Sequence, residues 1–408
     1  MVESVIQLKC DCNQYPWGRK GSESAAARLC AKTPGTDFKI EEDKPYSEMQ
    51  VHVVHVHRAS TRLHTVLDLQ DVLDKHAEEL IGKNVLQKFG HSKLPYLPKV
   101  LSIAKALPLQ LHPNKEMAAE LHRKDPDQFT DPNHKPEIAL ALTDFESFCG
   151  FKPLEDIEAL MQLEPLQQFL PDTKKPKFDD MTLKHVVKTI LSASDETIAD
   201  VQAALLKQPK EKFGKDTYIP DLIPRLQAQY DKTDPGTIVA LITMNYLTLK
   251  AGDSIYIPAD GIHAYLSGDI IECMARSNNV LNTGFCPRAD RNNVELFCKC
   301  LTFTPHSAEE AILNSTSFDR SKNGKTKLYG PPMSEFDMLA TILSSGEKET
   351  ISALGGPSIM INVNGEGKMK AGGKSYDVKE GYVFFIGKDT ETEFEADSGL
   401  QIYRAYVE

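Results

Sequence analysis

The stretch "KAGDSIYIPADGIH", residues 250–263, lines up without gaps against "KEGYVFFIGKDTET", residues 379–392. Each copy carries a basic residue, a glycine turn, a short apolar strand, a second turn and the entry to another strand. One β unit used twice predicts two sandwich domains. The C-terminal copy lies within "SIMINVNGEGKMKAGGKSYDVKEGYVFFIGKDTETEFEADSGLQIYRAYV", 358–407, which alternates with period two between turn signals at NGEG, AGGK and KEG. That is the signature of an antiparallel sandwich. The first copy ends on His263 and the second on Thr392, so only the first is expected to hold a metal here.

The chain has 408 residues, enough for two or three domains, each with its own core. Its 41% hydrophobic and 26% charged residues are ordinary for a globular protein. A net charge of −11 argues against nucleic acid or an anionic membrane as partner, so an anionic substrate needs a locally basic pocket. No apolar run approaches the roughly 18 residues of a membrane span, and "MVESVIQLKC" is not a signal peptide. A cytoplasmic location is the expectation. Eight cysteines are too sparse for a disulfide scaffold, and the C-x-C pairs Cys10/Cys12 and Cys298/Cys300 lack the usual zinc spacing.

Residues 1–150 read as mixed, with a helix at "NKEMAAELHRK" capped by Asn114. Between 154 and 230 the pattern turns helical, in "LEDIEALMQLEPLQQFL" and "DMTLKHVVKTILSASDETIADVQAALLKQ", with charged connectors. From 236 onward short β-like runs return. The division expected is therefore a first sandwich, the one expected to hold the metal, from 1–153 and 235–310, a helical insertion at 154–234, and a C-terminal metal-free sandwich at 311–408.

Within "PLQLHPNK", 108–115, Leu109 and Leu111 share one face of a strand while Gln110 and His112 share the other. Glu137 in "DPNHKPEIALAL" and His263 in "GIHAYL" also sit on short strands or their edges. Two imidazoles, a carboxylate and an amide oxygen suit a borderline divalent ion such as zinc. Hydrogen-bonded core histidines are the alternative, because spacing does not show that the three segments converge.

Four blocks carry a family resemblance: "CNQYPWGRKGSESAAARL", "QLHPNKEMAAELH", "DPNHKPEIALALTDFESFCGF" and "YIPADGIHAYLSGDIIECMARSNNV". Together they resemble type I phosphomannose isomerases (mannose-6-phosphate isomerases) across most of residues 5–310, and more weakly in the tail. The resemblance implies a mainly β fold of two cupin-type jelly-roll sandwiches with an α-helical insertion. It implies one Zn²⁺ per chain on Gln110, His112, Glu137 and His263. It also implies interconversion of mannose 6-phosphate and fructose 6-phosphate, supplying mannose for GDP-mannose and glycan synthesis. A monomer acting on the small sugar phosphate, without nucleic acid or membrane, is the expectation.

That reaction moves a proton between C1 and C2 through an enediol, which a divalent metal assists by polarising the carbonyl. Lys135, two residues before Glu137, is the first candidate acid/base, with a solvated surface lysine as the alternative. Glu272 in "GDIIE" is a second candidate base or a structural ion-pair partner. Ser102 and Lys105 in "KVLSIAKAL" are candidates for the phosphate.

The chain departs from the family in two places. Where the family reads "DNVVRAGLTPK" the chain has "NNVLNTGFCPR", which sets Asn282 on the arginine regarded as catalytic and leaves Arg288 to supply a guanidinium. Where the family has a block like "LWMGTHPSGPS", the stretch 49–64 places His52, His55 and His57 among valines, either a histidine-rich metal site or a divergent strand. Two other functions stay open. One is a non-haem Fe(II) oxygenase using His112, Glu137 and His263. The other is a sugar-phosphate-binding cupin that has lost catalysis, motivated by Asn282.

Overall fold

The computed structural model describes residues 2–56, 65–171 and 178–408. Positions 57–64, and the side chains from 51 onward in that stretch, lie outside the described residues, so the reading of His52, His55 and His57 lies outside them too.

Strand His263–Ala275 organises the first sandwich by crossing from one sheet to the other. Its first half pairs with Phe145–Phe151, between Ser267↔Glu146 and His263↔Cys149. From Gly268 onward it pairs with Tyr96–Ile103 on one side and Glu137–Ala141 on the other. Gly268 sits at the crossing with φ +126, and a Cβ there would stand 2.7 Å from the Asp144 carbonyl oxygen. Only glycine fits that bend. Ser254–Ile257 pairs with Glu137–Ala141, and Leu109–Leu111 lies between His263 and strand Leu281–Gly284.

The repeat read from the sequence is matched by equivalent elements in the C-terminal region. Val383–Ile386 and Thr392–Tyr406 stand where Ser254–Ile257 and His263–Ala275 stand, each after a left-handed glycine, Gly381 or Gly252. Strand Ser358–Ala371 pairs with both members of the second copy, as Glu137–Ala141 does with both members of the first. Strand Val5–Asn13 joins the two sandwiches, pairing with Val383–Ile386 on one side and Glu48–Val56 on the other. One apolar core spans the junction, holding Leu8, Val100 and Ile271 together with Met338, Ile359 and Tyr403.

The helical run contains Leu154–Leu160, Asp180–Ser192, Asp195–Leu205 and Ile219–Tyr230. It continues through Pro235–Thr243, where β-like runs were expected. Asp234 accepts a hydrogen bond from the Gly236 N–H and Pro235 opens the first turn, so "PGTIVALIT" starts as a helix despite its β-branched residues. Tertiary burial of the whole segment then overrides strand propensity. These helices pack on the Leu109/Leu111 face of the sheet, in one core with Phe148 and Phe151. Lys152 anchors them, its ammonium 2.9 Å from the Leu241 carbonyl oxygen and 3.2 Å from Asp216.

Candidate functional site

Because Leu109 and Leu111 face the helices, Gln110 and His112 turn into the sandwich. Prolines flank the short strand, and His112 ends fully buried. Its Nδ1 donates to the Asn279 carbonyl oxygen at 2.7 Å, while Nδ1 of His263 donates to the Gly261 carbonyl oxygen at 3.0 Å. A carbonyl oxygen only accepts, so each ring carries its proton on Nδ1 and presents a bare Nε2 lone pair. Both Nε2 atoms are buried without a hydrogen-bond donor.

Both lone pairs face the same carboxylate. His112 Nε2 is 3.1 Å from Glu137 Oε1, and His263 Nε2 is 3.5 Å from Glu137 Oε2. These contacts would be ion pairs only with protonated rings. Burial instead pushes the His263 imidazole down to about 4 and lowers that of His112. Neutral rings therefore aim electron pairs at an anion, an arrangement that needs a cation between them. One ligand atom from each of the three residues lies within 4.8 Å of the others. Gln110 stands opposite His263 in register, which sets the two side chains on the same face of the sheet.

Around this group, Lys135 Nζ lies 3.2 Å from Glu137 Oε1, with its side chain mostly buried. The Tyr265 hydroxyl donates to Glu137 Oε2 at 3.2 Å. Burial opposes ionisation of Glu137, yet the Lys135 ammonium beside it holds its carboxyl well below the usual range. Glu272 behaves oppositely. Burial and the Glu137 charge push its carboxyl up to about 8. It stands opposite Lys99 in register, and Lys99 Nζ pairs with Glu48 at 3.0 Å. The sequence reading missed Lys99 and Glu48 as members of this polar group. The sequence signal that could have found Lys99 is its period-two spacing from Leu101 and Ile103, which sets a charged side chain on the same strand face as two buried apolar ones.

Three candidates are placed elsewhere. Ser102 is fully buried and its Oγ accepts from the Ala26 N–H, tying it to the start of helix Ala25–Lys32. Lys105 places its ammonium 4.0 Å over the Tyr230 ring of the helical region, a cation–π contact. Arg288, expected to stand in for the missing arginine, is exposed and pairs with Asp195 on helix Asp195–Leu205. The same loop's Arg291 is held 2.8 Å from the buried Asp234 carboxylate. Both guanidiniums of the loop are thus engaged by the helical region rather than by the metal-type group. Asn282 does lie at the site, opposite Gln110 in register, with a buried Oδ1 that has no partner.

Comparison with known proteins agrees with this architecture. Residues 5–154 match the family described as phosphomannose isomerase type I, catalytic domain, and residues 327–374 match its C-terminal family. The mannose-6-phosphate isomerase of Saccharomyces cerevisiae is 36% identical over 434 aligned positions, covering 100% of both chains. That of Eremothecium gossypii is 37% identical, also over 100% of both. Among solved structures, a zinc-bound mannose 6-phosphate isomerase superposes with a TM-score of 0.80 at 22% identity, covering 99% of this chain and 100% of that one. The Salmonella typhimurium enzyme bound to its substrate, fructose 6-phosphate, and to zinc gives 0.79 at 23% identity, over the same shares. At that identity the superpositions establish the cupin-type fold, and the full-length fungal matches establish descent: the chain belongs to the type I mannose-6-phosphate isomerase (phosphomannose isomerase) family of enzymes.

Proposed function

We propose that this protein is a zinc-dependent isomerase interconverting mannose 6-phosphate and fructose 6-phosphate. The observation that carries the reading is the pair of bare, buried Nε2 atoms of His112 and His263 aimed at Glu137. Gln110, His112, Glu137 and His263 would hold the ion. When bound, zinc supplies Lewis-acid polarisation of the sugar's carbonyl and hydroxyl oxygens.

The chain's own groups do the remaining work. Lys135 sits within reach of the ligand carboxylate and is placed to hold a proton at the sugar's C1–C2 edge. Glu272, protonated near neutral pH, is placed to give a proton to an oxygen and take it back. The Lys99 ammonium beside Glu272 adds positive charge for an anionic intermediate or the phosphate. Buried walls such as Tyr265 exclude water around these charges.

On this reading the enzyme works as a monomer on a small sugar phosphate and supplies mannose for GDP-mannose and glycan synthesis. The relative of the same fold that binds zinc and fructose 6-phosphate supports the substrate class. No helix is long and apolar enough to cross a membrane among the described residues.

One observation favours a second reading, a sugar-phosphate-binding protein with impaired catalysis. Asn282 stands where the family resemblance sets an arginine, and Arg288 pairs with Asp195 instead. An assay of fructose 6-phosphate formed from mannose 6-phosphate separates the two. Turnover supports the isomerase. Binding of the sugar phosphate by zinc-loaded protein without turnover supports the second reading.

A further inference from the structure

The sequence repeat sets Ile257 against Ile386 and His263 against Thr392. The strand registers extend this correspondence to residues outside the repeat. Glu137 pairs with Ile257 in the first sandwich, and Ser358 pairs with Ile386 in the second. Glu272 pairs with Ala139, two residues beyond Glu137, and Arg404 pairs with Met360, two residues beyond Ser358. The seat formed by Glu137, His263 and Glu272 therefore has a counterpart formed by Ser358, Thr392 and Arg404. Both long strands bend at a left-handed glycine, Gly268 or Gly399.

The counterpart residues touch one another. Arg404 Nε donates to Ser358 Oγ at 2.8 Å, and its Nη1 donates to Thr392 Oγ1 at 3.1 Å. A guanidinium thus lies between the two residues that replace a metal-ligand glutamate and a metal-ligand histidine. It takes the register position of Glu272, so a basic side chain stands where the first sandwich has an acidic one.

Among the described residues, none neutralises that cation. Arg404 is 2% exposed, and burial lowers its pKa. Its electrostatic neighbours are the Tyr96 and Tyr406 hydroxyls, and no carboxylate pairs with it among the described residues. Its Nη2 is buried without an acceptor. A buried, uncompensated charge with an idle donor is strongly disfavoured unless an anion completes it.

We propose that the C-terminal sandwich retains the metal seat in inverted form, as a site for one small monovalent inorganic anion of halide size on Arg404 Nη2. Ser358 and Thr392 orient the guanidinium, and the anion supplies the missing charge. The site is distinct from the candidate catalytic centre, and bound halide stabilises the fold without entering turnover.

The test uses the full-length, zinc-loaded protein. Thermal unfolding is followed while sodium chloride or bromide replaces sodium gluconate at constant ionic strength of about 0.2 M, which holds screening fixed. The expected result is a saturable rise in Tm of about 2 °C or more with either halide. Arg404→Met should abolish the rise while leaving zinc content and isomerase activity unchanged. Crystals grown in bromide should show one anomalous peak within hydrogen-bond distance of Arg404 Nη2, a readout that does not depend on the variant folding. Absence of both the halide-dependent shift and the bromide peak would overturn the proposal and leave Arg404 as a filler of the seat. A shift that survives Arg404→Met would place the anion elsewhere and overturn it as well.

Discussion

Lys135 Nζ stands 3.2 Å from Glu137 Oε1, the same oxygen that His112 Nε2 approaches at 3.1 Å. One carboxylate oxygen thus joins the metal-type group to the candidate proton carrier. Lys135→Ala should lower kcat by about 10²-fold or more, the usual scale for losing an acid/base. Zinc content should be unchanged, because Lys135 is not a proposed ligand. Steady-state kinetics with metal analysis of the same sample checks both. Wild-type kcat in the variant would remove Lys135 from the chemistry.

Arg288 and Asn282 should behave in opposite ways to what a substitute arginine requires. Arg288 is exposed in an ion pair with Asp195, an interaction worth at most about 1 kcal/mol. Arg288→Ala is therefore expected to keep kcat/KM within about twofold of wild type, because that ion pair lies at the surface. Asn282 lies opposite Gln110, and losing its amide should lower kcat/KM by about fivefold, on the scale of one neutral hydrogen bond. A large loss in Arg288→Ala with none in Asn282→Ala would show that the loop rearranges to bring Arg288 in.

The helical region should loosen in acid through Glu146. Its carboxylate receives Arg225 in a two-point contact at 2.9 and 2.7 Å, together with the Ser267 and Tyr246 hydroxyls. Burial alone would raise its pKa, but these donors outweigh burial and hold the carboxyl down to about 2. A depressed folded pKa stabilises the fold above the unfolded value of about 4.3, and that stability is lost as pH falls toward 2. Glu146→Gln should destabilise by about 1–2 kcal/mol at pH 7, after allowance for solvent screening. The difference from wild type should shrink as denaturant melts are repeated from about pH 5 down to pH 3. A difference that does not change with pH would assign the loss to packing.

What was legible in the sequence follows from how local each signal is. Period-two alternation sorts Leu109 and Leu111 from Gln110 and His112 without knowledge of the fold, and the gap-free repeat places equivalent strands in both sandwiches. That Lys99 meets Glu48 and Glu272 was illegible because those partners lie far along the chain. The hydrogen bond that Ser102 receives was illegible for the same reason, since the Ala26 N–H that makes it comes from a distant helix start. Arg288 looked available because nothing near it in sequence is acidic enough to hold it except Asp290, whereas its partner is Asp195. Helix Pro235–Thr243 was a reading error with a local remedy, since Asp234 and Pro235 already spell a helix start.

The claim that His112, Glu137 and His263, with Gln110, form a zinc centre that drives isomerisation is tested most directly by metal titration. Protein stripped with a chelator is titrated with zinc while fructose 6-phosphate formation from mannose 6-phosphate is followed. The expected result is no turnover without metal and full activity at one equivalent per chain, with His263→Ala failing to recover. Undiminished turnover in fully metal-free protein would contradict it.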